Sequence, residues 1–330
     1  VKILKKPPAK QKQQVKNSEL LTLSGINSRV LEVLQCNGYN SLTDITISNS
    51  QEIVSKTGLA EAKVKKIIIE ARNKTSPGFT SGSQWLEQEN KTERISTGST
   101  SFDDLIGGGV EIGAITEVFG EHATGKTQLS YNLALNLFLQ NSSYVTLVLD
   151  TELRFRIQRI VEMANAKGMT QPQIKKLLES VKKVNVMNTD DILDRIEQIK
   201  DVINSGQKVK LVIVDSLMAH FRAEYPGRAT LSQRQQKLAA ILHLLNKYAK
   251  TYNFAVYFTN HVMTRPDQLF GDATTHLGGH VVGHFSEYRI YLRTGKKGTR
   301  VAKLIDSPVN EVGEAVFRIE NKGIDDVSNY

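Results

Sequence analysis

Gly120-Glu121-His122-Ala123-Thr124-Gly125-Lys126-Thr127 is the stretch on which the reading of this 330-residue chain turns. It matches G-x-x-x-x-G-K-[ST], a phosphate-binding loop. The glycines let the backbone curl so that successive N–H groups point inward at an anion. Lys126 brings a compact positive charge to the β and γ phosphates of a nucleotide, and the Thr127 hydroxyl is a ligand for Mg2+. The flanks agree with the motif. Residues 115–119 are an apolar run of strand length, and residues 128–139, opening at Gln128, carry helical spacing. A purely structural glycine-rich turn is the disfavoured alternative.

Working outward, two carboxylates belong with that loop. Residues 210–216 read Lys-Leu-Val-Ile-Val-Asp-Ser. An apolar strand ending in Asp215 sets a carboxylate at the C-terminal edge of a sheet, where open α/β sheets hold their ligands. Asp215 is therefore expected in the Mg2+ shell beside Thr127. Alone that pattern is weak; paired with the loop it is specific. Leu149-Asp150-Thr151-Glu152 closes another apolar run. Glu152 is expected to orient a water for attack on the γ-phosphate, the alternative being an acid favoured at a helix N-terminus. His276, His280 and His284 recur at four-residue spacing. Gly278, Gly279 and Gly283 interrupt them and no acid or cysteine completes a ligand set, so a metal centre is not expected there.

From Arg94 onward apolar runs alternate with helical patterns. Strands are expected at 115–119, 144–149, 211–214 and 254–258, and helices at 128–139, 191–204 and 231–250. This alternation predicts an α/β core with a mostly parallel sheet and helices on both faces. Residues 288–293, 300–305 and 315–320 are expected to extend the sheet as antiparallel strands. Ahead of the core, residues 17–74 read as a small all-α unit. In it Ser24-Gly25-Ile26-Asn27 and Thr57-Gly58-Leu59-Ala60 each stand between helical stretches. That is a helix-hairpin-helix pattern, whose N–H groups face a DNA phosphate; a plain helical packing unit is the alternative. Residues 75–93 form a linker, where Ser76-Pro77-Gly78 and Ser81-Gly82-Ser83 are expected to break regular structure. Phe79 and Trp85 are large aromatics for a solvated linker and are expected to dock on something.

Residues 1–16 carry Lys2, Lys5, Lys6, Lys10, Lys12 and Lys16 with no acid and no apolar core of a signal peptide. They read as a basic, solvated tail or as a non-specific nucleic-acid contact. The net charge of +9 permits a polyanionic partner without selecting one. Cys36 is the single cysteine, so no disulfide forms within the chain, which fits a reducing compartment. No apolar stretch has the length of a membrane span. Residues 221–228 and 262–271 both read as loops after strand ends. They carry Arg222, Arg228 and Arg265, which suits contact with DNA, ordinary solvated loops being the alternative.

Taken together, these residues resemble the RecA/RadA recombinase family, in its archaeal RadA branch and eukaryotic relatives, over residues 18–326. The resemblance also rests on Arg94-Ile95-Ser96-Thr97-Gly98, Leu105-Ile106-Gly107-Gly108-Gly109-Val110, Tyr225-Pro226-Gly227-Arg228, Leu231-Ser232-Gln233-Arg234-Gln235, Met263-Thr264-Arg265-Pro266-Asp267 and Leu277-Gly278-Gly279-His280. It implies a RecA-like ATPase core over 94–330 that uses ATP and Mg2+. It implies a filament on single-stranded DNA, or a ring, that pairs with double-stranded DNA and exchanges strands, with mediator proteins as further partners. The setting implied is the cytoplasm, at the nucleoid, or a nucleus in a eukaryote. Arg222, Arg228, Arg234, Arg265 and Gly58 are the implied DNA contacts. Phe79 is implied to fill an apolar pocket on the next subunit, with Gly82 standing where the family's oligomerisation motif has alanine. Arg159 is implied to stack on adenine, and Asp306, in Asp306-Ser307-Pro308, to belong to the cap that a neighbour lays over the ATP. Asn260-His261 replaces Asn-Gln, so His261 takes the place of the γ-phosphate sensor with a different reach and an available charge. Leu153-Arg154 stands where small polar residues are usual. These departures leave a second expectation, an accessory paralog that binds ATP and DNA with weak hydrolysis.

Overall fold

Helical spacing of leucine, isoleucine and valine becomes an all-α bundle in the first of two units, Val1–Lys91 and Thr92–Tyr330. The computed structural model describes residues 18–75, 78–227, 229–264, 274–276 and 279–327; the basic tail 1–16, Arg228 and Arg265 lie outside them. A 3-10 turn (Glu19–Thr22) leads into α1 (Ser28–Cys36), α2 (Leu42–Ile47), α3 (Ser50–Thr57) and α4 (Glu61–Thr75). Asn27, Ser41 and Asn49 start the first three helices, each side chain accepting a backbone N–H of the opening turn. Leu20, Leu31, Leu34, Ile45, Ile53 and Ala71 form the bundle's core. Gly58 ends α3 with φ of +69°, and a Cβ there would meet nothing within 4 Å. Its glycine is therefore required by backbone sense, not by crowding.

The expectation that Ser81-Gly82-Ser83 breaks regular structure is corrected. Ser81 caps α5 (Gly82–Glu89): its hydroxyl accepts from Gln84 N–H, and Gln84 Oε1 accepts from Ser81 N–H. A capping box starts a helix where the composition suggested a breaker. Phe79, Trp85 and Leu86 are all exposed.

The second unit runs β1 (Arg94–Ile95), α6 (Thr100–Leu105), β2 (Val110–Glu111), β3 (Ile115–Gly120), α7 (Lys126–Gln140), β4 (Tyr144–Asp150), α8 (Ile157–Ala166), α9 (Gln171–Ser180), β5 (Val181–Asn185), α10 (Thr189–Asn204), β6 (Lys208–Asp215), α11 (Ala219–Glu224), α12 (Leu231–Tyr252), β7 (Ala255–Thr264), β8 (Thr274–His276), α13 (Gly279–Phe285), β9 (Tyr288–Thr294), β10 (Arg300–Asp306), β11 (Glu314–Glu320) and β12 (Gly323–Asp326). The main sheet has the order β12-β11-β10-β9-β3-β7-β6-β4-β5, with β8 paired to β7. The unit is α/β with a mostly parallel sheet, as its alternation predicts. Strands β3, β4 and β6 are almost wholly buried, which is why they read as unbroken apolar runs. Val118, Leu129, Val148, Ile213, Tyr257 and Phe317 belong to the core between the sheet and α7 to α9.

Three local readings change. Strand β9 joins β3 in parallel, so the antiparallel extension begins only at β10. The 221–228 stretch is helical through Glu224, because Phe221 is buried and anchors α11. Val262 to Thr264 extend β7 and pair with β8 in place of a loop.

Candidate nucleotide site

Strands β3, β4, β6 and β7 run parallel, so their C-terminal ends meet at one edge, next to the start of α7. The turn after β3 is tied to itself. Thr124 Oγ1 donates to the Glu121 carbonyl at 2.9 Å, and Lys126 Nζ donates to the carbonyls of Gly120 at 2.9 Å and Glu121 at 2.7 Å. Gly125 has φ of +107°, and a Cβ there would stand 2.7 Å from Ile319 Cδ1 of β11. Backbone sense and the neighbouring wall both demand glycine. Burial pushes the Lys126 ammonium below its ordinary range, while Asp215, Glu152 and Glu121 pull it back up. A buried ammonium whose direct partners are two carbonyls suits an incoming anion.

Asp215 ends β6, buried. Its Oδ2 accepts from Thr127 Oγ1 at 2.8 Å, and its Oδ1 accepts from Thr259 Oγ1. Burial raises this carboxyl, and the two hydroxyls only partly oppose that. A desolvated carboxylate beside the Thr127 hydroxyl is the donor set a hard divalent cation takes. Glu152 lies just past β4. Its Oε1 is 2.9 Å from His261 Nε2, and that bond holds the carboxyl below its ordinary range against the opposing effect of burial. The next residue, Leu153, has φ of +58°, a left-handed conformation that costs a branched side chain about 1–2 kcal/mol.

These side chains surround one cavity of about 460 Å³. Residues 122–128, Glu152, Asp215 and His261 line it, so the structure brings together most of the residues picked out for nucleotide and metal. Gly120 and Glu121 sit behind the loop as acceptors for Lys126. Arg159 is turned to the turn between β11 and β12: Nε donates to Gln128 Oε1 at 3.0 Å and Nη2 to the Glu320 carbonyl at 2.6 Å. Asp306 is exposed at the end of β10, away from the lining. Arg154, Thr259, Arg300 and Ile319 also line the cavity and were not picked from sequence as lining residues. Arg300 and Ile319 come from distant strands and leave no local signal. Thr259 precedes Asn260-His261 in the middle of β7.

Three of the residues picked for DNA lie among the described residues. Arg222 is exposed on α11, Arg234 is half-buried in the first turn of α12, and Gly58 lies in the helical unit. None of them lines the cavity. Among the described residues no group of three or more His, Cys, Asp and Glu is arranged to hold a metal ion. No helix among them is long and apolar enough to cross a membrane.

A profile of the Rad51 family matches residues 88–327, nearly the whole second unit. The chain belongs to the Rad51 family. A relative within it, described as "DNA repair and recombination protein RadA" of Metallosphaera sedula, is 37% identical over 308 residues. That alignment covers 92% of this chain and 94% of the relative, so the likeness extends beyond the profile into the helical unit.

Proposed function

We propose that this Rad51-family chain is an ATP-dependent DNA recombinase. It assembles on single-stranded DNA, pairs it with a homologous duplex and exchanges strands, inside the cell at the DNA. The observation that carries this reading is the single cavity that holds Lys126, the Thr127–Asp215 pair and Glu152 together. Lys126 and the amides of residues 121–127 hold the β and γ phosphates. Thr127 and Asp215 hold Mg2+, which neutralises phosphate charge when bound. Glu152 orients the attacking water, and His261, in contact with it, reports on the γ-phosphate. Catalysis of this kind is positioning and charge stabilisation. Arg159 and Gln128 border the adenine end.

Residues 17–74 serve as the DNA-binding unit, 75–93 as the linker and 94–330 as the ATPase core. Arg222, Arg228, Arg234 and Arg265 contact the strand. Exposed Phe79 and Asp306 are offered to a second copy, Phe79 to fill a pocket and Asp306 to cap the nucleotide. One observation favours a second reading, an accessory paralog with weak hydrolysis: the His261 bond occupies an oxygen of Glu152. Steady-state ATP hydrolysis with and without single-stranded DNA, with Lys126→Ala as the blank, separates the two. Strong stimulation by DNA supports the recombinase. Binding of ATP and DNA without stimulation supports the accessory factor.

A further inference from the structure

The loop after β4 brings a second cation, Arg154, to the nucleotide cavity. Residues 151–156 are pinned at both feet. Thr151 N–H donates to the Asp215 carbonyl at 3.0 Å, and Thr151 Oγ1 donates to the Ser216 carbonyl at 2.6 Å. Asp150, buried at the end of β4, closes the loop. Its Oδ1 accepts Arg154 N–H at 3.2 Å, and its Oδ2 accepts Phe155 N–H at 3.0 Å and Lys183 Nζ at 2.8 Å. Phe155 is buried with its ring centroid 4.5 Å from that of Tyr131, whose hydroxyl accepts Arg156 N–H at 2.9 Å. Glu152 and Arg154 therefore stand on a backbone that the protein itself holds in place.

Arg154 is placed for an anion. It lines the cavity with Lys126, Glu152 and Asp215, while its side chain stays exposed. Among the described residues its guanidinium makes no hydrogen bond or ion pair; only its backbone N–H is engaged. The other arginine of the lining, Arg300, donates Nη1 to the carbonyls of Gly298 at 3.1 Å and Thr299 at 3.0 Å. Arg159 is held by Gln128 and the Glu320 carbonyl. Glu152 marks the end of the cavity that Arg154 serves. The His261 bond is the main force lowering the Glu152 carboxyl, and the positive charge of Arg154 adds to it. A planar guanidinium free of protein acceptors suits the oxygens of a terminal phosphate, two at a time. Leu153-Arg154 stands where small polar residues are usual, so this cation belongs to the chain and not to the shared fold.

We propose that Arg154 is a further catalytic residue of this site. Its guanidinium pairs with the γ-phosphate oxygens of ATP held by the same chain and stabilises the charge that gathers on them during hydrolysis. The inference rests on the ATPase reading above. An arginine acting in cis supplies such stabilisation without a partner protein. Asp150 is its positioning residue, because that carboxylate fixes the backbone at Arg154. Lys183, from the neighbouring strand, offsets the charge of the buried carboxylate.

The test is nucleotide binding by the full chain, with Arg154→Gln and Arg154→Lys beside the wild type. The side chain is exposed, so both variants should keep the wild-type unfolding temperature. Isothermal titration in Mg2+ compares ADP with the non-hydrolysable imido analogue of ATP, which carries the third phosphate. For Arg154→Gln the expected result is an ADP affinity within about twofold of wild type and a loss of about 10- to 150-fold for the analogue. Arg154→Lys keeps the charge without the planar fork and falls between the two. Steady-state kcat for ATP falls in Arg154→Gln by about 100- to 1000-fold. Equal losses for both nucleotides put Arg154 at the inner phosphates and overturn the proposal, and so does an analogue affinity that stays at the wild-type value. A wild type that shows the binding contrast with Arg154→Gln but hydrolyses no ATP sinks the ATPase reading and leaves the γ-phosphate contact standing. A wild type that binds neither nucleotide sinks both.

Discussion

Asp215→Asn separates the cost of this site from its use. In the free protein Asp215 is a buried carboxylate whose direct partners are the hydroxyls of Thr127 and Thr259. Both hydroxyls can turn to suit an amide. Burial raises the carboxyl, so at neutral pH the ionised group works against folding, and an amide of the same shape removes that penalty. The free variant should melt at or above the wild-type temperature. Nucleotide reverses the order. At a hundred times its dissociation constant a ligand adds about 2.7 kcal/mol to the folded state. At about 2–4 °C per kcal/mol for a unit of this size, wild type should gain about 5–11 °C with ATP and Mg2+. The variant, lacking the anionic ligand for the metal, should gain little. Differential scanning calorimetry of both proteins, with and without Mg2+ and ATP, measures all four values. A variant that melts lower when free, or that keeps the full nucleotide gain, refutes the assignment of Asp215 to the metal shell.

Asn132 is fully buried on α7, donating to the Thr97 carbonyl and accepting Ile324 N–H at 3.1 Å. Asn132→Ala leaves both backbone groups unpaired and should cost about 2–6 kcal/mol in urea unfolding, and a loss under about 1 kcal/mol contradicts this. Asp326 caps α6 from the far end of the chain: it accepts Ser99 Oγ at 2.6 Å and Thr100 N–H at 2.9 Å, bonds that hold its carboxyl well below the usual range. A carboxyl lowered in the folded state stabilises above its unfolded pKa of about 3.9 and loses that contribution as pH falls through the folded value. Asp326→Asn should therefore cost about 0.5–1 kcal/mol at pH 7 and progressively less in acid, and a pH-independent difference contradicts the assignment. Phe79→Ala should leave the unfolding temperature unchanged, since the ring is exposed, yet lower the mass seen by light scattering. An unchanged mass removes Phe79 from assembly.

Much of the site was legible because its parts are local. The loop of residues 120–127 carries its glycines, lysine and threonine in one run, and Asp215 and Glu152 close apolar runs. The sheet was legible where strands are buried on both faces. It was not legible at β5, an edge strand whose Lys182 and Lys183 break the apolar run, the second of them reaching Asp150 at 2.8 Å. The direction of β9 was missed because alternation along a strand does not say which neighbour it joins. Helix α5 was missed because Ser81 and Gly82 read as breakers, although the Ser81-to-Gln84 spacing held the capping box. Arg300 and Ile319 reach the cavity through tertiary packing alone, and the Glu117–Arg289 pair joins residues 172 apart in sequence.

Strand exchange reads out the proposed recombinase activity itself. The chain, ATP and Mg2+ are mixed with a single strand and a labelled homologous duplex, and transfer of the label is followed, with Lys126→Ala beside it. Label transfer should need ATP and homology and be lost in Lys126→Ala. ATP and DNA bound by the wild type, with no label transferred, would contradict it and leave the accessory factor as the function of this chain.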